Sequence, residues 1–180
     1  HNNMINNKLI DPKSIVVIGA SNDVSKPGGK VLKNLLESNF QGNVYAINPK
    51  ESEVQGVKCY KSVEELPQVD CAILAIAAKY CPATVETLAK EQGTGGYIIL
   101  SAGFSEETEI GAQLEKSIVD SINSVGGSLI GPNCTGFLNT NYCGAFDAPI
   151  PSLSNQGVDF ITGSGATAVF IKEYGMTNGL

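Results

Sequence analysis

The chain has 180 residues, 42% of them hydrophobic, which suits one globular domain, or one with part of a second, able to bury a core. Its formal net charge of -6 and pI of about 4.8 exclude a broad basic face for nucleic acid or an anionic membrane, so any anion site must be local. No apolar run approaches the roughly 20 residues that span a bilayer, and the opening HNNMINNKL has neither the basic head nor the apolar stretch of a secretory signal, so a cytoplasmic location is expected.

In chain order, His1–Asn3 precede Met4 and read as the remnant of an expression tag, with residues 1–8 expected to be disordered. SIVVIG (Ser14–Gly19) reads as a buried strand, and Val31, Leu32, Leu35 and Leu36 mark one apolar face of a following helix. NVYAINP is a second strand. SVEEL, from Ser62, reads as a short helix with a capping box, the Ser62 hydroxyl and the Glu65 carboxylate each satisfying free N–H groups. The strand CAILAI, a helix near Pro82–Gln92, the strand GYIILS, a helix near Glu107–Ser124 and the short strand SLIG complete a βαβ repetition. Strands apolar on both faces and joined by crossover helices imply an α/β, Rossmann-like, doubly wound parallel sheet, expected over residues 9–147. FDAPIPSLSNQ then reads as a linker, placed at 148–156. GVDFITGSGATAVFIKEYG is a further strand, turn and helix, expected over 157–180 as the beginning of a second, flavodoxin-like domain; the alternative is a last strand and helix of the first sheet.

Five cysteines, Cys59, Cys71, Cys81, Cys134 and Cys143, form an odd set without a C-x-x-C pair, so neither a disulfide framework nor a metal site is indicated. Cys134 lacks a histidine partner, because the only histidine is His1, and all five read as reduced packing residues.

In parallel α/β sheets, ligands bind beyond the carboxyl ends of the strands where the strand order reverses. Here those ends read GAS (Gly19–Ser21), NPK (Asn48–Lys50), AIAA (75–78), SAGF (101–104) and GPNC (131–134). Small residues admit a ligand to the backbone, and helix N-termini after several of these turns supply N–H donors for phosphate. The first turn has Ser21 where the dinucleotide fingerprint requires glycine, which counts against NAD. Its longer loop, Ser25, Lys26, Pro27, Gly28 and Gly29, offers a hydroxyl, a cation and unshielded N–H groups together. After the second strand stands Lys50 instead of the acid that would hold a free ribose hydroxyl, which suits a ribose phosphate; NADP and coenzyme A both carry one.

The series VVIGAS, KPGGKVLKNLL, VYAINPK, SVEELP, IILSAGFSE and LIGPNCTGFLN, in that order, resembles the coenzyme A-binding domain of the NDP-forming acyl-CoA synthetases, the group that holds ADP-forming acetate–CoA ligase and the succinyl-CoA synthetase alpha subunit. The resemblance runs from about Leu9 to Leu180. It implies that Gly19, Ala20 and Ser21, with Lys26, Gly28 and Gly29, hold the CoA phosphates, and that Asn48, Pro49 and Lys50 meet the adenosine and its 3'-phosphate. Ala75, Ile76 and Ala77 would flank the nucleotide, Ser101, Ala102 and Gly103 would line the pantetheine path, and Pro132 and Asn133 would sit near the thiol. It also implies that Ser164, Gly165 and Ala166 form a turn whose helix points its N-terminus at a phosphate carried on histidine; Thr162 and Gly163 depart from the family's S-Q-S-G there.

No such histidine occurs after His1, so the chain is expected to be the CoA-binding fragment of a larger ligase with an ATP-grasp domain or subunit, ATP or ADP and Mg lying outside it. That parent would interconvert acyl-CoA, NDP and phosphate with acid, CoA and NTP, and could form an oligomer. Two other classes stay open on the residues: a stand-alone CoA-binding or regulatory module, and an NAD(P)-binding Rossmann protein.

Overall fold

The computed structural model describes residues 5–146. Seven strands form one sheet in the order β3-β4-β2-β1-β5-β6-β7: β1 (Ser14–Ile18), β2 (Asn43–Ile47), β3 (Glu53–Val54), β4 (Val57–Tyr60), β5 (Cys71–Leu74), β6 (Gly96–Ile99) and β7 (Ser128–Ile130). All neighbours run parallel except β3 and β4, a hairpin at the sheet edge. The chain moves outward from β1 through β2 to one edge, then returns to β5 and proceeds to the other, so the order reverses between β1 and β5.

Alternation along β1 assigns the two faces. Ile15 and Val17 join Val31, Leu32 and Leu35 of α2 (Pro27–Glu37) in one core, which also takes Leu9 of α1 (Asn7–Ile10). Val16 and Ile18 join Val85 and Leu88 of α3 (Cys81–Glu91) and Ile118 and Ile122 of α4 (Glu109–Ser124) in the other. Helices thus cover both faces, as the doubly wound reading requires. None among the described residues is long and apolar enough to cross a membrane.

Three expectations are corrected. Residues 5–8 are ordered: the Asn6 N–H donates to Ser128 Oγ (2.8 Å), and Lys8 Nζ donates to the Gly93 carbonyl (2.6 Å). Gly96 makes room for this segment, since a Cβ there would approach Leu9 Cα to 2.7 Å. Second, SVEEL forms only a 3₁₀ turn, Val63–Glu65, in which the Ser62 side chain caps nothing, while Glu65 Oε2 accepts from the Lys61 N–H (3.2 Å). Third, two short hairpins were not anticipated: β3–β4, and β8 (Gly136–Leu138) with β9 (Cys143–Ala145). The second packs Phe137 and Tyr142 into the α2-side core. The linker at 148–156 and the segment 157–180, with Ser164, Gly165 and Ala166, lie outside the described residues.

Candidate functional site

The parallel register aligns Ile18 with Ile47 and Leu74, Leu74 with Ile99, and Ile98 with Ile130. The expected site segments therefore leave the sheet side by side, and hydrogen bonds join them. Gly19 N–H donates to the Ile47 carbonyl (3.3 Å), Ala75 N–H to that of Ile18 (2.8 Å) and Asn133 N–H to that of Ser101 (2.9 Å). The Ser101 hydroxyl donates to the Ile76 carbonyl. Asn48 Nδ2 donates to the Ala20 carbonyl (2.9 Å), while its Oδ1 accepts from Lys50 N–H (2.8 Å) and Glu51 N–H (3.0 Å). Asn48 is thus a hinge pin between two strand ends.

The loop between β1 and α2 is built on backbone contact. Gly19 has φ +88°, and a Cβ on it would overlap the Ala75 carbonyl oxygen. A Cβ on Gly28 would overlap the Gly19 carbonyl oxygen, and one on Gly29 that of Asp23. The glycines let the start of α2 sit against the loop. Ala20 is buried in the core. The Ser25 hydroxyl, expected to face a ligand, donates instead to Asp23 Oδ1 (2.6 Å), which also accepts the Ser25 N–H (3.0 Å). Those two bonds, with the Lys26 charge, hold the Asp23 carboxyl below its ordinary range. Ser21 Oγ accepts from Asp23 N–H (3.0 Å), and Lys26 N–H donates to the Asp23 carbonyl (3.1 Å). The N–H groups of Gly28 and Gly29, in the first turn of α2, donate to no protein acceptor among the described residues and stand at the positive end of an eleven-residue helix, the chemistry that an anion site needs.

On the α3 side of the sheet lies a cavity of about 290 Å³ at the strand ends. Ile18, Ile47 and Ile76 line it from the sheet, Lys61, Ser62 and Glu64 from the segment after β4, and Tyr80, Thr84 and Thr87 from the α3 side. Of the residues expected at the site only Ile76 lines it. Pro49 and Lys50 stand exposed at its corner, where Lys61 Nζ donates to the Pro49 carbonyl (3.3 Å). Nothing local marks Lys61 and Ser62 as cavity-lining residues, because SVEEL reads as a capped helix; the missing cap is what leaves the Ser62 hydroxyl unspent.

Farther along the edge, Glu106 closes the SAGF turn, accepting at Oε1 from Gly103 N–H (2.7 Å) and Phe104 N–H (3.1 Å). Burial pushes its pKa up, but the N–H groups of Phe104, Glu106 and Gly103 together outweigh that and lower it. Ala77 and Ala102 are exposed, and Asn133 is exposed with φ +55°. All five cysteines are free and buried. Burial pushes the Cys134 thiol up to about 12 and the Cys71 thiol also to about 12, far from the thiolate a nucleophile needs. Mass spectrometry after iodoacetamide treatment at pH 8 should therefore find Cys71 and Cys134 unmodified in the native chain and alkylated once it is unfolded.

A family model described as CoA binding domain matches residues 13–140. The alpha subunit of acetate–CoA ligase (ADP-forming) II from Pyrococcus furiosus is 44% identical over 161 residues, 88% of this chain and 34% of that protein. Acetate–CoA ligase (ADP-forming) I from Archaeoglobus fulgidus is 38% identical over 176 residues, 96% of this chain and 25% of that protein. Among solved structures, the dinucleotide forming acetyl-coenzyme A synthetase 1 of Ca. Korarchaeum cryptofilum, in complex with phosphate and ADP, matches with a TM-score of 0.73 at 32% identity, over 91% of this chain and 35% of that one. The chain spans a quarter to about a third of the length of these relatives.

Proposed function

This chain belongs to the CoA binding domain family, and on that premise we propose that its strand-end crevice holds coenzyme A as part of an NDP-forming acyl-CoA ligase. The observation that carries the reading is the pair of unspent N–H groups at Gly28 and Gly29, at the point where the strand order reverses, with a cavity of about 290 Å³ at the same strand ends on the α3 side. Two adjacent backbone donors at a helix N-terminus match a pyrophosphate, and the cavity is at the small end of the range for ligand pockets, enough for one heterocycle rather than a whole cofactor.

In this reading the pyrophosphate lies on Gly28 and Gly29, within reach of Lys26. The adenosine enters the cavity between Ile47 and Ile76, with its ribose 3'-phosphate toward Lys50. Pantetheine then follows the sheet edge past Ser101, Ala102 and Gly103 to Pro132 and Asn133, where the thiol would meet the acyl group. The protein's part in this segment is to bind and orient: Asn48 and Ser101 hold neighbouring strand ends at fixed separation, which directs the thiol. Phosphoryl transfer between acyl phosphate and NDP would use a histidine, an ATP-grasp portion, Mg and ADP or ATP supplied by the rest of the ligase. Ser164, Gly165 and Ala166 are proposed to face that phosphate.

Calorimetric titration of the chain with CoA and with NADP tests the assignment. CoA should bind at least tenfold more tightly, and the chain should form no thioester from acid, CoA and NTP, since His1 is its only histidine. Tighter binding of NADP overturns the CoA reading; NTP-dependent thioester formation by this chain alone overturns the division of labour.

A further inference from the structure

The carbonyl oxygens of Ser21, in the β1–α2 loop, and of Gly29, in the first turn of α2, accept from a single group, the side-chain amide of Gln55, at 2.9 and 2.8 Å. The Gln55 backbone N–H donates to Asn22 Oδ1 (2.8 Å) within the same loop. Gln55 comes from none of the strand ends that mark the site. It stands at the tip of the β3–β4 hairpin, where Val54 pairs with Val57 and the two turn residues, Gln55 and Gly56, have φ +50° and +80°. A turn with positive φ at both positions favours Asn, Asp or Gly at the first of them. Gln is held there against its backbone preference, and an outlier of this kind asks what its side chain does. Asn would suit the turn better and differs from Gln by one methylene of reach, which is the length that the bonds to Ser21 and Gly29 use.

We propose that Gln55 is a positioning residue for the CoA phosphates: by tying Ser21 of the loop and Gly29 of the first helical turn to the hairpin, its carboxamide fixes where the N-terminus of α2, and with it the Gly28 and Gly29 N–H groups, stands before ligand arrives. The proposal rests on the CoA reading above. A loop ordered in advance does not have to be ordered on binding, so the gain appears as affinity for the pyrophosphate. It is independent of the 3'-phosphate, and CoA and dephospho-CoA should benefit equally.

The test uses the full chain with Gln55→Asn, which suits the turn but cannot span the loop, and Gln55→Gly as a second variant with the same turn preference and no side chain. Thermal midpoints should stay equal to wild type or rise. Amide hydrogen exchange without ligand should quicken about tenfold at the hydrogen-bonded loop amides of Asp23, Ser25 and Lys26, with no change in strands 14–18 and 71–74, and both CoA and dephospho-CoA should bind about tenfold more weakly. Loop exchange and affinity within twofold of wild type would overturn the proposal. So would faster exchange with full affinity, or a lower midpoint with faster exchange throughout the sheet, which would make Gln55 a structural residue only. Failure of the wild-type chain to bind CoA removes the function itself, while the exchange comparison still decides whether Gln55 fastens the loop.

Discussion

Gly28→Ala is expected to destabilise the chain by about 1–2 kcal/mol and to weaken CoA about a hundredfold. A Cβ at this position would overlap the Gly19 carbonyl oxygen, a backbone atom that cannot rotate away, and would also approach Ala75 Cβ to 3.5 Å. Alanine improves helix propensity by about 1 kcal/mol, but overpacking against a fixed backbone costs about 1–3 kcal/mol or more, so the overlap wins. Relief requires α2 to move away from the loop, which carries the Gly28 and Gly29 N–H groups off the phosphate. Two charge-assisted hydrogen bonds worth about 1.5 kcal/mol or more each correspond to roughly two powers of ten in affinity. Gly126→Ala is the control. Gly126 has φ +67° and nothing within 4 Å of a built Cβ, so the change should cost about 1 kcal/mol and leave CoA affinity alone. Denaturant titration and calorimetry on both variants make the comparison; equal effects at the two glycines would show that Gly28 matters only as a glycine.

The difference between those glycines is a matter of long-range contact, and the same distinction separates what could be read from the sequence and what could not. The runs SIVVI, CAIL and GYII announce buried parallel strands because each is apolar on both faces, and the proposed site is drawn from their carboxyl ends. Glycine at 28 and 29 was legible as a feature of the loop, although the reason for it, the Gly19 and Asp23 carbonyls, was not. The sequence offers the Ser25 hydroxyl to a ligand, but a hydroxyl is equally able to serve a phosphate or a carboxylate two residues away, and in the fold it serves Asp23. Gln55 gave no local signal: its partners lie 34 and 26 residues distant, and strands of two and four residues are too short for a periodicity to show. The β8–β9 hairpin escaped for a similar reason. Its Asn139 and Asn141 side chains both donate to the Ile10 carbonyl, and the Tyr142 hydroxyl to that of Leu9, contacts that exist only once the N-terminal segment has docked.

Lys50→Ala is expected to weaken CoA by roughly one to two powers of ten and to leave dephospho-CoA almost untouched. The Lys50 N–H is fixed by Asn48 Oδ1, which in turn is held by the bond from Asn48 Nδ2 to the Ala20 carbonyl, so the lysine starts from a rigid corner even though its side chain is exposed. A charge-assisted contact to phosphate contributes about 1.5–3 kcal/mol, which is the expected range of loss. Dephospho-CoA lacks only the 3'-phosphate, so the ratio of the two affinities isolates this contact from damage to the fold, which would weaken both ligands. A second cation stands at the same corner: Lys61, which lines the cavity and donates to the Pro49 carbonyl. Its ammonium is already engaged by a neutral acceptor, whereas no hydrogen bond or ion pair holds that of Lys50 among the described residues, so Lys50 can turn to the phosphate without breaking a bond. Lys61→Ala should therefore cost CoA less than Lys50→Ala. Should the CoA-specific loss follow Lys61 instead, the 3'-phosphate lies over the cavity mouth rather than outside it, and the adenosine must be turned accordingly; equal losses for CoA and dephospho-CoA at both positions would take the 3'-phosphate away from this corner and leave Lys26 as its partner.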